Sequence, residues 1–88
     1  MHSKSKVMFV DDNADLIDAY CLLAESMGVS ALGITSPKEA IDAFKAFKPN
    51  FVFLDIGMPD IDGYELVKML KALPEVEHVK FYSQSGWG

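Results

Sequence analysis

The chain alternates between two periods, and that alternation limits its fold more than any other feature. KVMFV (6–10), VSALGI (29–34), FVFL (51–54) and HVKFYS (78–83) read as strands. The stretches between them repeat at the spacing of a helix. KVMFV and FVFL are apolar on both faces, so both faces must be covered. The order β-α-β-α-β-α-β meets that need with a parallel sheet, right-handed crossovers and a helical layer on each side.

The helical stretches carry their own punctuation. In 14–27, Leu16, Ile17, Tyr20, Leu23, Ala24 and Met27 form one stripe expected to be buried, and Gly28 is suited to end the helix. In 36–47, Ser36 is expected as N-cap, Pro37 as the first helical residue and Glu39 as the partner of a capping box. Ala40, Ile41, Phe44 and Phe47 make its buried face, and Pro49-Asn50 stops it. In 62–73, Asp62 and Glu65 stand at N-cap and N3, Leu66, Met69, Leu70 and Leu73 make the stripe, and Pro74 closes it. The six phenylalanines (9, 44, 47, 51, 53 and 81) are expected in the core rather than on a base-stacking platform. With no repeat, linker or low-complexity segment, residues 1–88 read as one domain.

Composition narrows the function classes. The net charge is −5 and every cation is a lysine, which disfavours direct nucleic-acid binding. Without arginine there is no planar fork to clamp a phosphate, so phosphate chemistry would need a metal, backbone N–H groups or lysine. No apolar stretch approaches the ~20 residues that span a bilayer. The apolar run near the start, Val7 to Val10, is too short for a signal peptide. The single cysteine, Cys21, has no partner for an internal disulfide. No membrane association and a cytoplasmic setting are therefore expected.

Three acids fall at strand ends: Asp11 and Asp12 after the first strand, and Asp55 after FVFL. In a flavodoxin-like order the first and third strands are neighbours at the topological switch point, so their carboxyl ends lie side by side. Three carboxylates gathered there repel unless a cation sits among them, and hard oxygen ligands suit Mg²⁺. Each acid also has an ordinary use. Asp12 or Asn13 can cap the first helix, and Asp55 can begin a turn.

VMFVDDN followed by VFLDIGMPDIDGYEL resembles the receiver domain of bacterial two-component response regulators, as does SGWG at 85–88 after the fourth strand. The resemblance implies an α/β flavodoxin-like receiver topology, here incomplete: (βα)3β with strand order 2-1-3-4. It implies that Asp55 is the phosphoacceptor, supplied by a phosphohistidine on a histidine kinase or histidine phosphotransfer protein. Asp11, Asp12, Asp55 and the backbone carbonyl of Gly57 would hold Mg²⁺, and Ser85 would hydrogen-bond the phosphoryl oxygen. Such a domain is a signalling phosphoacceptor and not an enzyme.

A complete receiver has five strands and five helices, and this chain reads as truncated after the fourth strand. The lysine that follows the fifth strand in the family has no obvious replacement; Lys80 lies at the opposite end of the sheet. Part of the apolar face over strands 1 and 3 is expected to lie open, and strand 4 to be an edge. A homodimer or domain-swapped oligomer would supply the cover. The competing reading is therefore a dimerising interaction module with impaired phosphotransfer. A Mg²⁺-dependent hydrolase with an aspartyl nucleophile fits less well, because VDDN has adjacent acids where such enzymes usually have a DxD pattern.

Overall fold

The computed structural model describes residues 5–55, 63–74 and 78–84. Its elements are β1 (Lys6–Val10), α1 (Ala14–Ser26), β2 (Ser30–Ile34), a 3-10 turn (Pro37–Glu39) leading into α2 (Ala40–Phe47), β3 (Phe51–Asp55), α3 (Gly63–Lys71) and β4 (Lys80–Gln84). The four strands form one parallel sheet in the order β2-β1-β3-β4. Among the described residues no helix is long and apolar enough to cross a membrane.

The two faces of the sheet are covered unequally. Alternation along β1 and β3 sends Met8, Val10, Val52 and Leu54 to one side, where they pack with Ala40 and Phe44 of α2 and Leu66 and Leu70 of α3. All eight are buried. Phe81 of β4 joins this side, its ring 6.2 Å from that of Phe44. The other residues of the same strands, Val7, Phe9, Phe51 and Phe53, face α1. Tyr20, Phe9, Phe53 and Tyr82 form a transverse row of near-parallel rings there, with successive centroids 5.2, 5.5 and 4.9 Å apart. An open groove of about 740 Å³ runs above this row, lined also by Leu23 and Met27.

The groove corrects the expected burial of α1. Of the six stripe residues only Ile17 is fully buried; Leu23 is 61% exposed and Met27 72% exposed. They lie on the flank of the helix that looks along the sheet toward β4, where no described element stands. Phe53 is likewise 37% exposed rather than a core residue. On α3, Met69 points outward while Leu66 and Leu70 are buried.

Helix ends account for the other differences. Ser36 makes no side-chain cap bond; its carbonyl accepts from the Glu39 N–H at 3.0 Å, closing the 3-10 turn. Glu39 precedes α2 without a side-chain cap bond, so the expected capping box does not form. The end of α1 does follow its sequence. Gly28 takes φ +84°, and the N–H groups of Gly28 and Val29 donate to the carbonyls of Glu25 and Ala24, a Schellman closure. That bond commits Val29 to the helix end, so β2 starts at Ser30. His78 has a left-handed φ of 74°, so β4 starts at Lys80.

Asn50 ties three strands at the amino-terminal edge. Its Oδ1 accepts from Lys6 N, its N–H donates to Lys6 O, and its carbonyl accepts from Lys80 N. At Gly33 of β2, α1 packs close against the sheet. A Cβ there would collide with Ile17 Cγ2 and lie 3.3 Å from Cys21 Sγ. Gly33→Ala is expected to cost about 1–3 kcal/mol through overpacking, read as a lower urea midpoint at unchanged slope.

Candidate functional site

The row beyond Val10↔Leu54 is where the two central strands release their acids. Asp11 follows β1 directly, held by its own N–H donating to Ile34 O at 3.0 Å, and it is buried at 6% exposure. Asp55 is the last residue of β3, half-buried, and pairs in register with Gln84 of β4. Asp12 is exposed in the turn between β1 and α1. One carboxylate oxygen from each of Asp11, Asp12 and Asp55 lies within 4.8 Å of the others.

The structure assigns the cap of α1 to Asn13. Asn13 is extended, and its Oδ1 accepts from Leu16 N at 3.1 Å. Its own N–H donates to Asp11 Oδ1 at 3.0 Å, which orients that carboxylate. Capping by Asn13 leaves the Asp12 carboxylate to the cluster, resolving an ambiguity that the adjacent residue types left open. Asn13→Ala is expected to cost about 1 kcal/mol, since a lost N-cap side chain leaves a first-turn N–H unsatisfied. Thermal unfolding monitored by circular dichroism measures it.

The electrostatics follow from the crowding. Burial pushes the Asp11 carboxyl above its ordinary value, and the charges of Asp55 and Asp12 push it further the same way. The Asn13 N–H opposes them by favouring the ionised form. A raised carboxylate is a cost to the folded state that is fully present at neutral pH and relieved in acid. A divalent cation offsets that cost directly. Three carboxylates on two adjacent strand ends, one of them exposed and leaving room for water, are a hard-oxygen donor set that fits Mg²⁺. Gly57 and Ser85, the other two residues expected here, lie outside the described residues, as does the expected N-cap Asp62.

Comparison with known proteins agrees with this arrangement. The sequence profile described as "Response regulator receiver domain" matches residues 7–86. The chain is 32% identical over 73 residues to the polar-differentiation response regulator DivK of Brucella ovis, covering 83% of this chain and 59% of that protein. The DivK of Brucella anthropi is 30% identical over the same coverage. The chain thus spans about 59% of the length of the curated relatives it matches.

Solved structures show the same fold. A CheY-like response regulator receiver domain from Methylobacillus flagellatus superposes with a TM-score of 0.88 at 32% identity, covering 97% of this chain and 72% of that one. The N-terminal domain of a response regulator receiver protein from Methanoculleus marisnigri gives 0.83 at 27% identity, covering 92% and 66%. With its parallel sheet in the order 2-1-3-4 and the acids of β1 and β3 brought together at one edge, the chain belongs to the response regulator receiver domain family.

Proposed function

We propose that the chain is a phosphoacceptor of two-component signalling, with Asp55 taking a phosphoryl group from a phosphohistidine on a histidine kinase or histidine phosphotransfer protein. The observation that carries this reading is the placement of Asp55 at the end of β3, within 4.8 Å of Asp11 and Asp12 at the carboxyl edge of a parallel sheet. An Asp55 carboxylate oxygen forms a bond to phosphorus as the phosphorus–nitrogen bond breaks, and the imidazole leaves with the electron pair and takes up a proton. Asp11, Asp12 and Asp55, with the Gly57 carbonyl, would hold Mg²⁺, which when bound offsets the charge on the phosphoryl oxygens.

Asn13 keeps the Asp11 carboxylate oriented, and the β1–β3 pairing holds Asp11 and Asp55 at a fixed separation. The Ser85 hydroxyl, next in the chain after β4, is assigned to donate to a phosphoryl oxygen. On this reading the chain is a cytoplasmic signalling component that is modified once per signal, not an enzyme that turns over a substrate.

Incubation with a small phosphodonor and Mg²⁺, followed by intact mass, tests the proposal. A single phosphoryl adduct is expected, absent from Asp55→Ala. An adduct of wild-type extent on Asp55→Ala would remove Asp55 from the role. A second reading, a dimerising interaction module with impaired phosphotransfer, is favoured by the partly exposed ring row on the α1 side of the sheet.

A further inference from the structure

We infer that Asn13 is a positioning residue that couples the acidic cluster to the first turn of α1, so that divalent-cation binding and capping of the helix reinforce each other. The inference rests on the metal site of the reading above and names what tunes it. Asn13 makes three hydrogen bonds that point in two directions. Its Oδ1 accepts from Leu16 N at 3.1 Å and its carbonyl accepts from Ile17 N at 3.1 Å, both in α1. Its own N–H donates the other way, to Asp11 Oδ1 at 3.0 Å. One residue thus begins the helix and supports the cluster.

Asp11 has little other freedom. Its backbone is held to β2 by the bond from its N–H to Ile34 O, and the residue is buried. What remains is rotation of the carboxylate, which the Asn13 N–H opposes. Asp12 lies between these two anchored residues, so they set the direction in which its exposed side chain leaves the backbone. The aim of the Asn13 N–H depends in turn on the backbone angles of Asn13, φ −91° and ψ 103°. The Oδ1 bond to Leu16 selects those angles over the others open to an exposed residue. The backbone donor survives almost any substitution here, and what the side chain supplies is its direction. Hydrogen bonds that orient a ligating carboxylate commonly carry about 10–100-fold in metal affinity.

Such coupling is reciprocal. If the cap raises the affinity for the cation by some factor, the bound cation favours the capped form by the same factor. The start of α2 supplies the contrast, because it has no side-chain cap bond and contributes nothing to the cluster.

Asn13→Gly separates positioning from stability. Glycine at an N-cap costs little helix stability, yet it has no side chain to fix its angles. Calorimetric titration with Mg²⁺ alone is expected to show binding about tenfold weaker in Asn13→Gly than in wild type. Asn13→Ser, which restores a capping oxygen, is expected to recover most of that loss. Amide hydrogen exchange reads the reciprocal effect. In wild type, saturating Mg²⁺ is expected to slow the Leu16 amide about tenfold relative to amides in the first turn of α2, and in Asn13→Gly it is not. None of these readouts requires phosphotransfer. Wild-type affinity in a folded Asn13→Gly would overturn the positioning role and leave the metal site standing. Leu16 exchange unmoved by Mg²⁺ in wild type would overturn the coupling. Binding weakened equally in the glycine and serine variants would show that capping is not the cause. Absence of Mg²⁺ binding by wild type would overturn the metal site and this inference with it.

Discussion

Phe44→Ala is expected to lower the folding stability by about 3–5 kcal/mol, the loss usual for truncating a fully buried aromatic. Domains generally hold only about 5–15 kcal/mol in total, and a chain this short sits toward the low end, so the variant should be largely unfolded at physiological temperature. Phe44 is 0% exposed and stands where α2 meets the sheet, in the cluster with Met8, Val52, Leu54, Leu66 and Leu70. Its ring also stacks on Phe81, which links α2 to β4. Removing it opens a cavity between α2 and the sheet, in the buried cluster. Urea unfolding of the variant against wild type measures the loss. Phe53→Ala should cost clearly less, because Phe53 is 37% exposed and loses ring stacking but little enclosure. Equal losses at the two positions would show that the two faces of the sheet are covered alike.

The second large effect concerns the acidic cluster and has opposite signs with and without metal. In EDTA, Asp12→Asn should be slightly more stable than wild type. It removes one of three crowded charges at an exposed position and spares the cap, which belongs to Asn13. With Mg²⁺ at 100 times its dissociation constant, a ligand that binds only the folded state adds about 2.7 kcal/mol. For a domain of this size that corresponds to a rise in Tm of roughly 10–20 °C, since each kcal/mol shifts Tm by about 4–8 °C. Asp12→Asn should lose most of that rise, so the order of stability of the two proteins inverts between EDTA and Mg²⁺. Differential scanning calorimetry under both conditions checks it. The same rise in wild type and variant would exclude Asp12 from the metal site.

The Asp11 carboxyl gives these signs their cause. Burial and the neighbouring acids raise it, so its ionisation burdens the fold at neutral pH. The cluster is thus a place where the chain is locally destabilised in the absence of a cation. That arrangement is expected of residues kept for what they bind rather than for what they stabilise.

Much of this was legible in the residues. The doubly apolar runs at 6–10 and 51–54 required a sheet covered on both sides, and the alternation of periods required its strands to be parallel. Acids following the first and third strands then had to meet at one edge, because those strands are neighbours in such a sheet. Helix ends were less legible. Ser36, Pro37 and Glu39 have the letters of a capping box, yet the backbone closes a 3-10 turn there and satisfies the Glu39 N–H through a carbonyl. At Asp12 and Asn13 two adjacent residue types competed for one cap, and only the path of the chain out of β1 chose between them.

Sequence alone determined which residues are apolar, the period at which they recur and the order in which strands and helices follow. These set the topology and the meeting of Asp11, Asp12 and Asp55, because both depend on local backbone preference and the handedness of connections. Tertiary structure alone decided which apolar residues are covered. Tyr20, Leu23 and Met27 belong to the same periodic stripe as Ile17, and Phe53 to the same run as Val52 and Leu54, yet their exposures differ widely. Periodicity records the tendency of a side chain to leave water, whereas burial requires another element to stand opposite it. Over β3 and β4, on the side of α1, no described element does.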